Sequence, residues 1–186
     1  MIRRMLIASA AVFAFALAAP INTQAQNVFV LAGISVPSGE FSDYAKTGWM
    51  AEVGLTFPVG EDGLWAGVAG GYGVNKHDVD ADPSFFVEEG DKTNLLSAMA
   101  ILGYTVQTDG NVSPYVWGGA GVQVHQFRSE MSPSFNDSSS KFGFQFGAGV
   151  SFGADDASAQ PFIEGRFQGS SDSKIIAGSV GVSIEL

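Results

Sequence analysis

The chain has 186 residues, room for one domain and little more, with 46% apolar residues, 12% aromatic residues, 24 glycines and no cysteine. Nine Lys and Arg stand against nineteen Asp and Glu, a net charge of −10, which argues against nucleic-acid binding through a basic surface. The apolar content excludes a disordered polyanion, and the absence of cysteine excludes a disulfide scaffold or a Cys-ligated metal site.

The first predicted element is a leader. Arg3 and Arg4 form a positive start, Met5 to Ala19 is free of charge, and Thr23, Gln24 and Ala25 offer small residues where a signal peptidase would cut. The apolar stretch of about 15 residues is short of the roughly 20 that a spanning helix needs. A cleaved signal peptide over residues 1–25 is therefore expected, and with Arg3 and Arg4 gone the nineteen acids face seven bases, a net charge of −12. Residues 27–186 are expected to form one domain.

Beyond Gln26 the periodicity is that of strands. Asn27 to Val36 holds the first. In the second, Trp49, Ala51, Val53, Leu55 and Phe57 share one face and Met50, Glu52, Gly54 and Thr56 the other. Leu64, Ala66, Val68, Gly70, Tyr72 and Val74 repeat the design, alternating with Trp65 and small residues. Asn94 to Val106 and Ser113 to His125 fit less cleanly. Phe142, Phe144, Phe146, Ala148, Val150 and Phe152 alternate with Gly143, Gln145, Gly147, Gly149 and Ser151, and Gln160 to Gln168 and Lys174 to Leu186 complete eight strands. An even number lets an antiparallel meander close with both termini on one side. Pro58 to Gly63, Thr108 to Val112 and Gly153 to Ala159 read as tight turns, whereas Pro37 to Lys46, Lys76 to Lys92 and Arg128 to Ser140 are longer and polar. Short connections at one end and long ones at the other are the asymmetry of bacterial outer-membrane barrels. The expected fold is all-β: an eight-stranded antiparallel up-and-down transmembrane β-barrel.

Bilayer dimensions agree. Trp49 and Phe57 are about 26 Å apart along the strand, or roughly 20 Å in height after a tilt near 40°, and Phe142 and Phe152 give about 25 Å in height. With Tyr72 and Tyr104 these residues are expected to form two aromatic girdles. The segment GISVPSGEFSDYAKTGWMAEVGLTF, Gly33 to Phe57, resembles the first hairpin of the OmpX/OmpA-type eight-stranded outer-membrane barrels, and PYVWGGAGV, Pro114 to Val122, is similar to the fifth strand of that family. The family's alternating carboxy-terminal assembly signal maps onto Val180, Val182, Ile184 and Leu186, with Leu where the family usually has Phe. The resemblance specifies a fold far better than an activity and implies the outer membrane of a Gram-negative-type bacterium.

Alternation turns Glu52, Trp65, Tyr115, Trp117, Gln123, Gln145, Glu164, Arg166 and Gln168 inward, with Glu185 at the end of the same series and glycines 67, 71, 73, 119, 121, 143, 147 and 149 making room. Enclosed charges must be paired. Arg166 is the one base predicted inside the strands, so Glu52, Glu164 and Glu185 compete for it. An eight-stranded interior is only wide enough for side chains to fill; a structural plug is favoured over a gated narrow pathway, and no large pore is expected.

Some small outer-membrane barrels modify envelope lipids, which makes enzyme activity an alternative. The deacylase type places Ser two positions after His, and His125 is followed by Gln126 and Phe127; His77 beside Asp78 has no serine at an obvious spacing. No catalytic residue, cofactor or metal is expected. Asp78, Asp80, Asp82, Glu88, Glu89 and Asp91 have a calcium-like composition without a ligand spacing such as that of an EF-hand. Phe85 and Phe86 in the same loop are either a strand extension or contacts for a partner. Expected partners are membrane lipids and lipopolysaccharide, with a protein or host surface reached through the external loops; the barrel is expected to be a monomer. Envelope-lipid chemistry and small-solute porin activity remain the alternatives, and a soluble lipocalin-like binder would need a large apolar pocket in the barrel.

Overall fold

The computed structural model describes residues 26–60, 63–78, 90–108, 110–129, 137–153, 157–171 and 173–186. Eight strands form one closed barrel: β1 (Asn27–Ser38), β2 (Gly48–Pro58), β3 (Leu64–Lys76), β4 (Lys92–Thr105), β5 (Val112–Arg128), β6 (Asp137–Phe152), β7 (Ala159–Gly169) and β8 (Lys174–Glu185). Each is antiparallel to its neighbours in sequence, and β1 closes the ring on β8 through twelve paired positions from Asn27↔Glu185 to Ser38↔Lys174. Closure gives every strand a hydrogen-bonded neighbour on both sides in the body of the barrel, as a lipid environment demands, while residues 137–143 of β6 pair with β5 and run past the end of the pairing with β7. The leader predicted over residues 1–25 lies outside the described residues.

Several strands run further than their hydrophobic pattern. β3 continues through Asn75 and Lys76, β4 starts at Lys92, β5 ends at Arg128, and β6 starts at Asp137, five residues before Phe142. The apolar alternation marks only the part of a strand that faces lipid, whereas the hydrogen-bond ladder persists into polar sequence beyond it. The extensions all point to one end of the barrel, opposite the termini. At the terminal end Leu186 N–H donates to the Gln26 carbonyl and the connections are tight. Gly63 carries the β2–β3 turn at φ 78°, and a Cβ there would meet the Thr105 carbonyl at 2.3 Å, so both backbone hand and space require glycine.

At the loop end the first connection contains a short 3-10 turn, Gly39–Asp43, whose Phe41 is buried. The fourth connection, between β7 and β8, is itself tight, with Ser170 N–H donating to the Ser173 carbonyl at 2.8 Å. Long connections therefore join three of the four hairpins at this end.

The outer wall is apolar. Trp49, Phe57, Tyr72, Tyr104, Phe142 and Phe152 are all exposed on it, and Trp49 and Tyr72 meet edge to face at 5.6 Å. Phe85 and Phe86 lie outside the described residues, as do Asp80, Asp82, Glu88 and Glu89.

Candidate functional site: the barrel interior

Inward side chains form layers. Glu164 and Arg166, two apart on β7, project from one face, and Glu52 reaches them across the lumen from β2. Arg166 Nη1 donates to Glu52 Oε2 at 2.8 Å and Nε donates to Glu164 Oε1 at 2.8 Å, while Nη2 also pairs with Glu164 Oε1. Glu164 accepts further hydrogen bonds from Tyr115 Oη at 3.0 Å, Trp117 Nε1 at 3.2 Å and Ser179 Oγ at 3.4 Å. The guanidinium also stacks 4.9 Å from the centre of the Trp117 ring. Arg166 and Glu52 are both 4% exposed. This triad forms an ionic cluster inside the barrel, with a formal charge of −1.

Glu185 does not join it. The residue is exposed at the terminal rim, its N–H bonded to the Ser158 carbonyl. Period-two alternation gives the face of a residue but not its depth, and position 185 is simply too far along the wall to reach Arg166.

Towards the loop end the lumen is filled. Met99, Gln123, Gln145, Asn75 and Ser35 are the most deeply buried large side chains. Asn75 clasps β1 and the first loop, accepting from Ser35 Oγ at 3.2 Å and donating to the Lys46 carbonyl at 2.9 Å. Above them Phe41, Tyr44, His77 and Phe127 form a chain of ring contacts at 5.2–5.5 Å, the first two edge to face and the last tilted, beside a cavity of about 170 Å³. This lid escapes period-two reasoning because it joins a loop to strand extensions that carry no lipid-facing signal.

His77 is a packing residue of the lid. Its Nε2 meets Thr93 Oγ1 at 2.8 Å, and burial holds the imidazole below its ordinary pKa, against the smaller opposing pull of Asp91. A depressed folded pKa means that the unfolded chain takes up the proton first, so stability is lost as pH falls from about 6.5 towards the folded value. Urea midpoints recorded between about pH 7 and pH 5 are expected to fall more steeply for the wild type than for His77→Gln, and parallel curves would refute this role.

The other histidine finds a serine from across the sequence: Ser170 Oγ lies 3.1 Å from His125 Nε2 and 3.3 Å from Ser173 Oγ. Ser170 is buried and does not line the neighbouring cavity, so the pair resembles a hydrogen-bonded fastening of β5 to the β7–β8 turn more than a presented nucleophile.

The terminal half of the lumen corrects the expectation of a filled interior. A cavity of about 560 Å³ opens there, walled by Phe29, Trp65, Ile101, Tyr115 and Phe162, with Glu52, Glu164 and Arg166 as its floor. It exists because each large ring lies flat over a glycine directly opposite on the next strand. Phe29 covers Gly54, Trp65 covers Gly103, Trp117 covers Gly147, Tyr115 covers Gly149 and Phe162 covers Gly181. A Cβ at Gly103 would come within 2.1 Å of the Trp65 ring. The expected room-making glycines include 147 and 149, whereas 54, 103 and 181 emerge only from the register. Rings pressed against the wall leave the axis empty, so the lumen is plugged in one half and hollow in the other.

The sequence model of the family described as outer membrane protein beta-barrel domain matches residues 7–175. Among solved structures, Neisserial surface protein A is similar with a TM-score of 0.66 at 15% identity, covering 87% of this chain and 97% of that one. Ail, the attachment invasion locus protein of Yersinia pestis, gives 0.52 at 16% identity, covering 87% and 98%. The outer membrane protein OprG from Pseudomonas aeruginosa gives 0.53 at 10% identity, covering 87% and 96%. At these identities the likeness is one of fold. None of the curated proteins compared matches the chain.

Proposed function

The chain belongs to the outer membrane protein beta-barrel domain family, as the OmpX/OmpA type, and on that premise we propose that it is a non-enzymatic scaffold of the Gram-negative outer membrane whose external loops carry an interaction role. The observation that carries this reading is the closed half-lumen. Met99, Gln123 and Gln145 are buried across the barrel between the ionic triad and the aromatic lid, which favours a rigid support over a solute pathway. The same packing disfavours the porin alternative, and the enclosed Ser170 disfavours the lipid-modifying one. The wall is suited to membrane lipids, and the long connections at the loop end are the segments available to lipopolysaccharide, a protein or a host surface. The similar fold of Ail, an attachment invasion locus protein, makes attachment a candidate for that role. The protein acts as a monomer in this reading, because the ring of eight strands closes within one chain, β1 on β8.

Planar bilayers test the scaffold. The purified barrel is expected to give only rare, small current steps, and steady openings of nanosiemens size would overturn the reading. Replacing residues 79–89 with a Gly-Ser linker of equal length tests the loops: surface binding by cells displaying the protein is expected to fall while heat-modifiable migration on gels persists.

A further inference from the structure

We propose that the cavity at the terminal end is a binding site for small organic monocations, an ammonium group carried on an apolar body. The charge balance of the floor points to a cation. Among the residues lining the cavity, the carboxyl and guanidinium side chains are Glu52, Glu164 and Arg166, two acids against one base. Their hydrogen bonds are unequally shared. Glu164 is saturated by Arg166, Tyr115, Trp117 and Ser179. Glu52 accepts one hydrogen bond, from Arg166 Nη1 to Oε2, which leaves Oε1 for an incoming N–H donor. A buried carboxylate facing a cavity with half its acceptor capacity unused is a site for a donor bearing positive charge.

The walls define the rest of the ligand. Phe29, Trp65, Tyr115 and Phe162 present aromatic surface, which binds apolar groups and attracts cations over ring faces. Trp65 is held in place by its Nε1–H donating to Thr105 Oγ1 at 3.1 Å. A volume of about 560 Å³ falls in the range of small-molecule sites. Glu185 stands exposed on the rim at this end and adds a further negative charge near the mouth.

The test uses the membrane-inserted protein in lipid nanodiscs, titrated calorimetrically with 2-phenylethylammonium, with neutral 2-phenylethanol and with anionic 3-phenylpropanoate. The ammonium is expected to bind saturably at one site and at least about tenfold more tightly than the alcohol, with no binding of the carboxylate. Glu52→Gln makes the floor neutral and is expected to bring ammonium and alcohol within about twofold of each other. Thr56→Lys, which changes the cavity wall above the floor, places a tethered ammonium in the site and is expected to abolish probe binding even if Glu52→Gln fails to insert. Equal affinity for ammonium and alcohol in the wild type, a preference that survives Glu52→Gln, binding indifferent to Thr56→Lys, or no ammonium binding at all would each overturn the proposal.

Discussion

Replacing Arg166 with Met is expected to destabilise the barrel by about 3–5 kcal/mol, the cost of leaving buried carboxylates without their partner. Glu52 and Glu164 would then face each other in the lumen with no base among the described residues close enough to replace the guanidinium. The measurement is the urea midpoint of unfolding in phospholipid vesicles, followed by tryptophan emission. A second variant separates loss of charge pairing from loss of packing. Adding Glu52→Met and Glu164→Gln to Arg166→Met removes both orphaned charges while keeping acceptors for Tyr115 and Trp117, and most of the lost stability should return. A loss below about 1 kcal/mol for Arg166→Met alone would mean that water reaches the triad freely and that it fastens nothing.

On the outer wall, Val180→Arg is expected to cost about 2–4 kcal/mol, the range for a charge near the bilayer midplane. Val180 is 62% exposed and sits mid-strand in β8, paired with Ala32 and Ile163. Ile184→Arg, on the same face near the terminal edge, should cost only about 0–1 kcal/mol, because the side chain reaches the interface. Depth dependence is the discriminating result. Equal, negligible costs at both positions would show that water rather than lipid bathes this wall.

Much of the fold is legible in the sequence because a membrane barrel writes its two environments into a period of two. Trp49 to Phe57 and Phe142 to Phe152 alternate apolar with small or polar residues, and that pattern alone sets strand number, face and the inward direction of Glu52, Glu164 and Arg166. The alternation of short and long connections supplies the up-and-down topology. Where the solvent contrast ends, the signal ends: the polar extensions of β3, β4, β5 and β6 continue as strands that hydrophobicity cannot mark.

Which side of the wall each residue faces is written in its own strand, since lipid and lumen impose opposite chemistry on neighbouring positions. Depth, and which residues oppose one another across the barrel, follow from register and closure instead. Register places Glu52 and Glu164 at Arg166 and strands Glu185 on the rim, and it sets Trp65 over Gly103 and Phe162 over Gly181 so that the terminal half is hollow. It also brings Ser170 to His125 and seats Phe41 in a lid with Tyr44, His77 and Phe127. The physical reason is that alternation is a local property of one strand, whereas shear between strands and the filling of a shared axis depend on all eight together.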